Sequence, residues 1–293
     1  MARAVRTLRY RQIVKARAVK EPLPPVTISE HDGVRYLHLG SIWVQGAMRI
    51  REPQYVELDY IQRMLAALLW LPTAELGRGH AVQLGLGAGA LTRFTQHQLR
   101  MPTTVVELNT LVAMVCRQWF HLQHGDPRLN VVTMDAGAWL RERAPAQGAR
   151  LLFVDLYDHE AAAPVLDDEA FYADCRRALA GGGVMSVNLF GRHASFAQSA
   201  ARVAAVFGAD QVWSLRPTRE GNTALIATRE VVVPDREVLR ARAAAIEERF
   251  GELGLKARKW LYWVRPYRAD GAAAAAQNAA MNVVHTYALK ARS

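Results

Sequence analysis

Four short stretches carry residues whose types and spacing suit one kind of chemistry. "VQLGLGAGALTR" places Gly85, Gly87 and Gly89 between an apolar run and a helix-compatible run. Such a turn lets the backbone come close to a ligand and presents a helix N-terminus to it. "VVELN" ends near Glu107, "VTMDA" near Asp135 and Ala136, and "FVDLYDH" carries Asp155 and Asp158. Each follows an apolar run of strand length, and open α/β sheets bind ligands at the carboxyl ends of their strands. A carboxylate at Glu107 can accept both hydroxyls of a ribose, and Asp135 can accept from an adenine amino group. Together they suit a nucleoside. Singly, each has a plainer reading. The glycine turn can serve packing alone, Asp155 can cap the loop after it, and Asp135 before "AGAWL" can be a helix N-cap and nothing more. Asp167 is expected to be such a cap.

Two ligand classes fit. Gly85-x-Gly87-x-x-Ala90 with Glu107 downstream is readable as a dinucleotide fingerprint. Gly-x-Gly-x-Gly with an acid at the third strand fits S-adenosylmethionine better, since that ligand has no pyrophosphate to cradle. The nucleoside is expected as a co-substrate, with no permanently bound cofactor and no metal.

The elements that must position these residues follow from the rhythm of the chain. From about residue 79, short apolar runs alternate with helical stretches, the mark of a parallel sheet buried on both faces. "DQVWSLRP" and "NTALIATRE" close it as a hairpin. Before it, "VTISEHDGVRYLHLGSIWVQGAMRI" alternates and turns at "HDG", which predicts about three antiparallel strands. The expected organisation is a basic arm (1–21), a small antiparallel β-domain (22–52), a connecting helix (53–78), a mostly parallel, nucleoside-binding α/β sheet (79–230), and a C-terminal helix with a basic aromatic tail (231–293). The connecting helix rests on Val56, Tyr60, Met64, Leu65 and Leu68 at helical spacing, with Pro53 near its first turn. A further helix is expected to start at the cap Asp235 and to stop near Gly251 or Gly254.

The chain of 293 residues carries a formal net charge of +10, and its first twenty residues hold seven Lys/Arg and no acid. That arm suits contact with nucleic acid, anionic lipid or an acidic partner, the alternatives being a solvated arm or an Arg-rich transit segment. Near the C-terminus, Trp260, Tyr262, Trp263 and Tyr267 interleave with basic residues, as a base-stacking surface, a packed amphipathic tail or a partner surface. The two cysteines make no disulfide framework or metal motif, and the longest apolar run is too short for a membrane span. A cytoplasmic protein without membrane contact is expected, and a homodimer is compatible with this reading.

Residues from about 36 to 228 resemble the spermidine synthase family of aminopropyltransferases, which implies a small N-terminal antiparallel β-domain on a methyltransferase-like, mostly parallel Rossmann sheet (79–230). The motif match is "DLYDHEAAAPVLDDEAFYADCRRALAGGGVMSVN", where the family shows D-x-x-D, a leucine eight residues on, then "FY…C…L…GG". "VVEL" and "VTMDA" stand at the family's ribose acid and adenine contact, and "RYLHLGSIWVQGAM…Y" resembles its "L-x-L-D-G-x-x-Q…Y-H-E-M" segment. The resemblance implies that Asp155 is the base toward an amine acceptor and that Asp158 balances its charge. It also implies that Gln45, Tyr60 and Tyr157 face the substrates, and that S-adenosylmethionine or its decarboxylated form is the donor. The departures are specific. Ala88 replaces the aspartate that holds the donor's amine, and an aspartate restored there is expected to favour the decarboxylated donor. His159-Glu160-Ala161-Ala162 replaces Pro-x-Gly-Pro, and Arg63 stands in the Tyr-His-Glu-Met segment. Small-molecule methyl transfer and nucleoside binding without catalysis therefore stand as alternatives to aminopropyl transfer.

Overall fold

The computed structural model describes residues 23–123, 125–156, 166–190 and 195–268. The basic arm, Tyr157, Asp158, His159 and the tail beyond 268 lie outside them. Strands β1 (Val26–His31), β2 (Val34–Leu39) and β3 (Val44–Arg49) form an antiparallel sheet in that order. The β1–β2 hairpin turns on Asp32 and Gly33, both at positive φ, as a two-residue turn with matching twist requires.

The connecting segment departs from the expected helix. Its regular α-helix, α1, covers only Asp59–Met64, and Leu65–Trp70 continue as a tighter 3-10 helix. Residues 53–58 are held out of helix by tertiary contacts. The Val56 N–H donates to the Leu253 carbonyl, and Arg49 pairs with Glu52 and Glu57 while stacking 3.3 Å from the centre of the Tyr55 ring. Residues 65–71 are buried on every side, so no solvent face imposes an amphipathic period on them.

The main unit then alternates strand and helix. β4 (His80–Leu84) leads to α2 (Ala90–Arg93), which runs into a π-helical stretch at Phe94–Gln98. There follow β5 (Thr103–Glu107), α3 (Thr110–Trp119), β6 (Leu129–Thr133), α4 (Ala136–Glu142), β7 (Ala149–Val154), α5 (Glu169–Ala178), β8 (Leu179–Phe190) and α6 (Ser195–Phe207). β9 (Val212–Leu215), β10 (Asn222–Thr228), α7 (Arg236–Phe250), α8 (Ala257–Trp263) and β11 (Val264–Pro266) complete it. The sheet order is β11-β9-β10-β8-β7-β4-β5-β6. The strands from β8 through β6 pair in parallel, and β10, β9 and β11 add antiparallel at one edge. The hairpin expected after the parallel strands is therefore present, with β11 as a further edge strand.

Helices cover both faces. Trp70, Phe94, Trp213, Phe250 and Trp260 fill one side of the sheet, and Trp139, Tyr172, Val203 and Phe207 the other. A third cluster joins α3 to the small sheet through Leu37, Met48, Cys116 and Phe120. Asp235 caps α7 as expected, accepting from the Val238 N–H at 2.8 Å. Asp167 does not cap α5. Asp168 does, accepting from the Phe171 N–H, while Asp167 receives the Tyr172 and Ser199 hydroxyls and pairs with Arg202. The choice between adjacent aspartates is made by α6, which brings a cation to one of them. Of the C-terminal aromatics, Trp260 is fully buried and Trp263 stacks on Arg63, while Tyr262 is 73 % exposed.

No helix among the described residues is long and apolar enough to cross a membrane.

Candidate active site

Sheet order turns four separate sequence positions into one row. The neighbours β7, β4, β5 and β6 end at Asp155, Gly85, Glu107 and Asp135, and β4 lies at the switch point where successive strands begin to add on the other side. The ladder continues past the strands to bind these ends together. Asp155 N–H donates to the Leu84 carbonyl (3.0 Å), Gly85 N–H to Val106 (2.9 Å) and Met134 N–H to Glu107 (3.1 Å).

The glycine turn is shaped by that crowding. Gly85 has φ 86°, and a Cβ there would lie 2.2 Å from the Asp155 carbonyl oxygen, so no other residue fits. A Cβ on Gly87 would lie 2.9 Å from the carbonyl oxygen of Gln45, on β3. Buried side chains hold the carbonyls of the turn. Gln83 Nε2 donates to Gly85 (2.7 Å), the Cys116 thiol to Gly87 (3.0 Å), and Arg93 to Ala88 (2.6 Å). Arg93 also donates to Pro53 and Phe120, and no carboxylate among the described residues pairs with it. Its burial lowers its pKa to about 10, and burial pushes the Cys116 thiol up to about 12, which keeps that thiol protonated.

Glu107 faces the turn. Its carboxylate accepts from the Leu86 N–H at 2.9 Å and the Asn109 N–H at 2.8 Å. Burial raises its pKa, and these backbone donors pull it part of the way back. Each carboxylate oxygen has a second lone-pair direction for a hydroxyl. Asp135 is exposed and caps α4 through the Ala138 N–H (2.8 Å), with the buried Ala136 beginning that helix. The cap reading is thus present in the geometry, and it leaves one oxygen without a cap bond.

Asp155 is enclosed. Asn188 Nδ2 donates to its Oδ1 (2.9 Å) and the Tyr60 hydroxyl to its Oδ2 (3.2 Å). Burial raises its pKa, while these two hydrogen bonds favour the charged form. Tyr60 comes from α1 and Asn188 from β8, so three distant segments converge on one carboxylate. Gln45, Tyr60, Gly87, Ala88 and Asp155 line a common cleft, in which Asp155 is the one acid among the described residues. Ala88 is 2 % exposed, and a Cβ built on Gly46 would meet its methyl at 2.5 Å. Gly46 thus leaves β3 room to lie close against Ala88, which also lines the cleft.

Sequence reasoning missed Asn188, Gln83, Arg93 and Cys116. The signal for Asn188 and Gln83 was a polar residue inside an apolar strand run, next to a strand end. Arg93 and Cys116 carried none, since either reads as an ordinary helix residue.

No family model matches the chain. A relative called polyamine aminopropyltransferase, from Chromobacterium violaceum, is 31 % identical over 239 residues, covering 81 % of this chain and 89 % of the relative. A probable spermidine synthase from Corynebacterium glutamicum superimposes with a TM-score of 0.65 at 18 % identity, over 87 % of this chain and 91 % of that one. Human methyltransferase-like protein 13, in complex with SAH, gives 0.56 at 21 % identity, over 66 % of this chain and 93 % of that one. The two structures share the fold, and the sequence relative carries the family: this chain belongs to the polyamine aminopropyltransferases.

Proposed function

We propose that the cleft binds decarboxylated S-adenosylmethionine and passes its aminopropyl group to a small amine, as a transferase of polyamine biosynthesis. The observation that carries this reading is the half-buried Asp155 carboxylate held between Tyr60 and Asn188 beside the glycine turn. The acceptor nitrogen must be neutral to attack, and most amines arrive as ammonium ions. Asp155 accepts that proton. The nitrogen lone pair then forms a bond to the methylene beside the sulfonium, the carbon–sulfur bond breaks, and its electrons return to sulfur as methylthioadenosine. The leaving thioether needs no acid. Glu107 holds the ribose and Asp135 with Ala136 faces the adenine. Asp158 and Tyr157 would complete the acceptor side, a role that rests on the resemblance alone.

Methyl transfer from S-adenosylmethionine is the second reading, because Ala88 offers no carboxylate to a donor ammonium. The deciding experiment incubates the protein with each donor and a panel of amines, followed by mass spectrometry. Methylthioadenosine with an aminopropylated amine supports the first reading. S-adenosylhomocysteine with a methylated product replaces it with the second.

Two expected outcomes test the assigned roles. Glu107→Ala should weaken methylthioadenosine binding by about 1.5–3 kcal/mol, the range for hydrogen bonds to a charged group. Calorimetry showing unchanged affinity in the folded variant removes the ribose assignment. The second concerns pH. A base works only when ionised, and burial raises the pKa of Asp155, so activity should fall away with decreasing pH from above the ordinary carboxylate range. Tyr60→Phe or Asn188→Ala deletes a bond that favours the charged form, and each should move that acid limb of the kcat/KM profile further up. A limb that stays in place or moves down disproves Asp155 as the titrating group.

A further inference from the structure

The Asp155 carboxylate ends a longer chain of side-chain hydrogen bonds. Asn188 Nδ2 donates to Asp155, and Asn222 Nδ2 donates in turn to Asn188 Oδ1 at 3.2 Å. The register of the antiparallel β8–β10 pair makes this second contact. Asn188 stands opposite Ala224, so Asn222 is its diagonal neighbour on the same face. Backbone bonds fix Asn222 at the start of β10. Its N–H donates to the Thr218 hydroxyl at 3.2 Å, and its carbonyl accepts from the Thr218 N–H at 2.8 Å. Asn188 is 4 % exposed, so water has little access to its amide oxygen in place of Asn222.

We propose that Asn222 is a positioning residue for the base, fixing which end of the Asn188 amide meets Asp155. This rests on the reading of Asp155 given above. An asparagine amide presents its NH2 or its oxygen to the same neighbour after a half-turn of its last torsion. Ionised Asp155 can only accept, so it needs the NH2. Protonated Asp155 can donate, so the oxygen serves it as well. The donor on Asn222 engages that oxygen and holds the NH2 toward Asp155, which favours the ionised carboxylate that the reaction uses. The elements around Asp155 bring it Tyr60 from α1 and Asn188 from β8, with Gln83 of β4 and Gln45 of β3 across the cleft. Tyr60 is the one titratable group among them, and among the described residues no charged side chain besides Asp155 lines the cleft. The orientation of one amide is therefore a main control on the state of this carboxylate.

The test follows kcat/KM against pH on the full chain for wild type, Asn222→Ala, Asn222→Asp, Asn188→Ala and the double variant with alanine at both positions. Methylthioadenosine affinity and Tm are measured on each. Asn222→Ala should move the acid limb upward by about 0.4–1 pH unit, the net worth of a neutral hydrogen bond expressed as a pKa change. Methylthioadenosine affinity should stay within about twofold. Asn222→Asp keeps the shape but can only accept. It should move the limb further than Asn222→Ala, by drawing the Asn188 NH2 away from Asp155. In the Asn188→Ala background, Asn222→Ala should add nothing, because its partner is gone. An acid limb that Asn222→Ala leaves in place overturns the proposal, whatever happens to Tm. So does an Asn222→Asp profile like that of the wild type, since the shape of the side chain would then be its whole role. A full further shift in the Asn188→Ala background overturns it as well. A wild type that transfers nothing, or whose limb stays in place in Asn188→Ala, overturns the reading of Asp155 itself, and either is seen without any Asn222 variant.

Discussion

Asp155→Asn is expected to lower kcat by about 10²–10⁴-fold, the usual share of a positioned general base, while methylthioadenosine affinity changes little. The substitution is close to isosteric. The new amide oxygen can accept from Asn188, and its NH2 can donate to the Tyr60 hydroxyl, which accepts as well as donates. Both contacts to Asp155 thus have replacements, and the nucleoside anchor at Glu107 is untouched. The variant should also be at least as stable as the wild type. A carboxylate whose folded pKa is raised by burial costs stability at pH values where it is ionised, and asparagine removes that cost. Turnover and thermal melting measured together decide the matter. A large loss of kcat with an unchanged or raised Tm marks a group placed for chemistry. A fall in both would mean that Asp155 is structural.

Arg93→Met is expected to have the largest effect on stability. The methionine can follow the path of the arginine stem through the core, so the change isolates the guanidinium. Removing it leaves the carbonyls of Pro53, Ala88 and Phe120 without this donor, those of Ala88 and Phe120 on buried residues. At roughly 1 kcal/mol or more for each orphaned acceptor, the loss is about 3 kcal/mol. For a domain of this size that lowers Tm by about 6–12 °C. Arg93→Lys should recover only part of it, since an ammonium lacks the planar fork that reaches three acceptors. Because one of these carbonyls belongs to the glycine turn, methylthioadenosine affinity should fall as well. A Tm within about 2 °C of wild type, well below that estimate, would show that water replaces the guanidinium at all three carbonyls.

Most of the sheet was legible because its signals are local. Apolar runs of strand length alternating with helical stretches foretold β4 to β8, and "HDG" foretold the β1–β2 turn. The glycines, Glu107, Asp135 and Asp155 were legible as strand-end residues for the same reason. The connecting helix was misjudged at residues 53–58, where Leu253 and the Arg49–Tyr55 stack compete successfully with helix formation. Asp167 was misjudged because two adjacent aspartates are equally good caps until α6 brings Arg202 to one of them.

By itself, the sequence determined which residues end strands and which turn is glycine-bound, since periodicity and glycine content act over a few residues. Only the tertiary structure decided that β7, β4, β5 and β6 are neighbours, that Tyr60 and Asn188 converge on Asp155, and that β3 brings Gln45 to the same cleft. It also decided that Ala88 lies against Gly46 of β3. Each of these is a contact between segments far apart in the chain, settled by which strands pair and in what register, and no local pattern of residues encodes that choice.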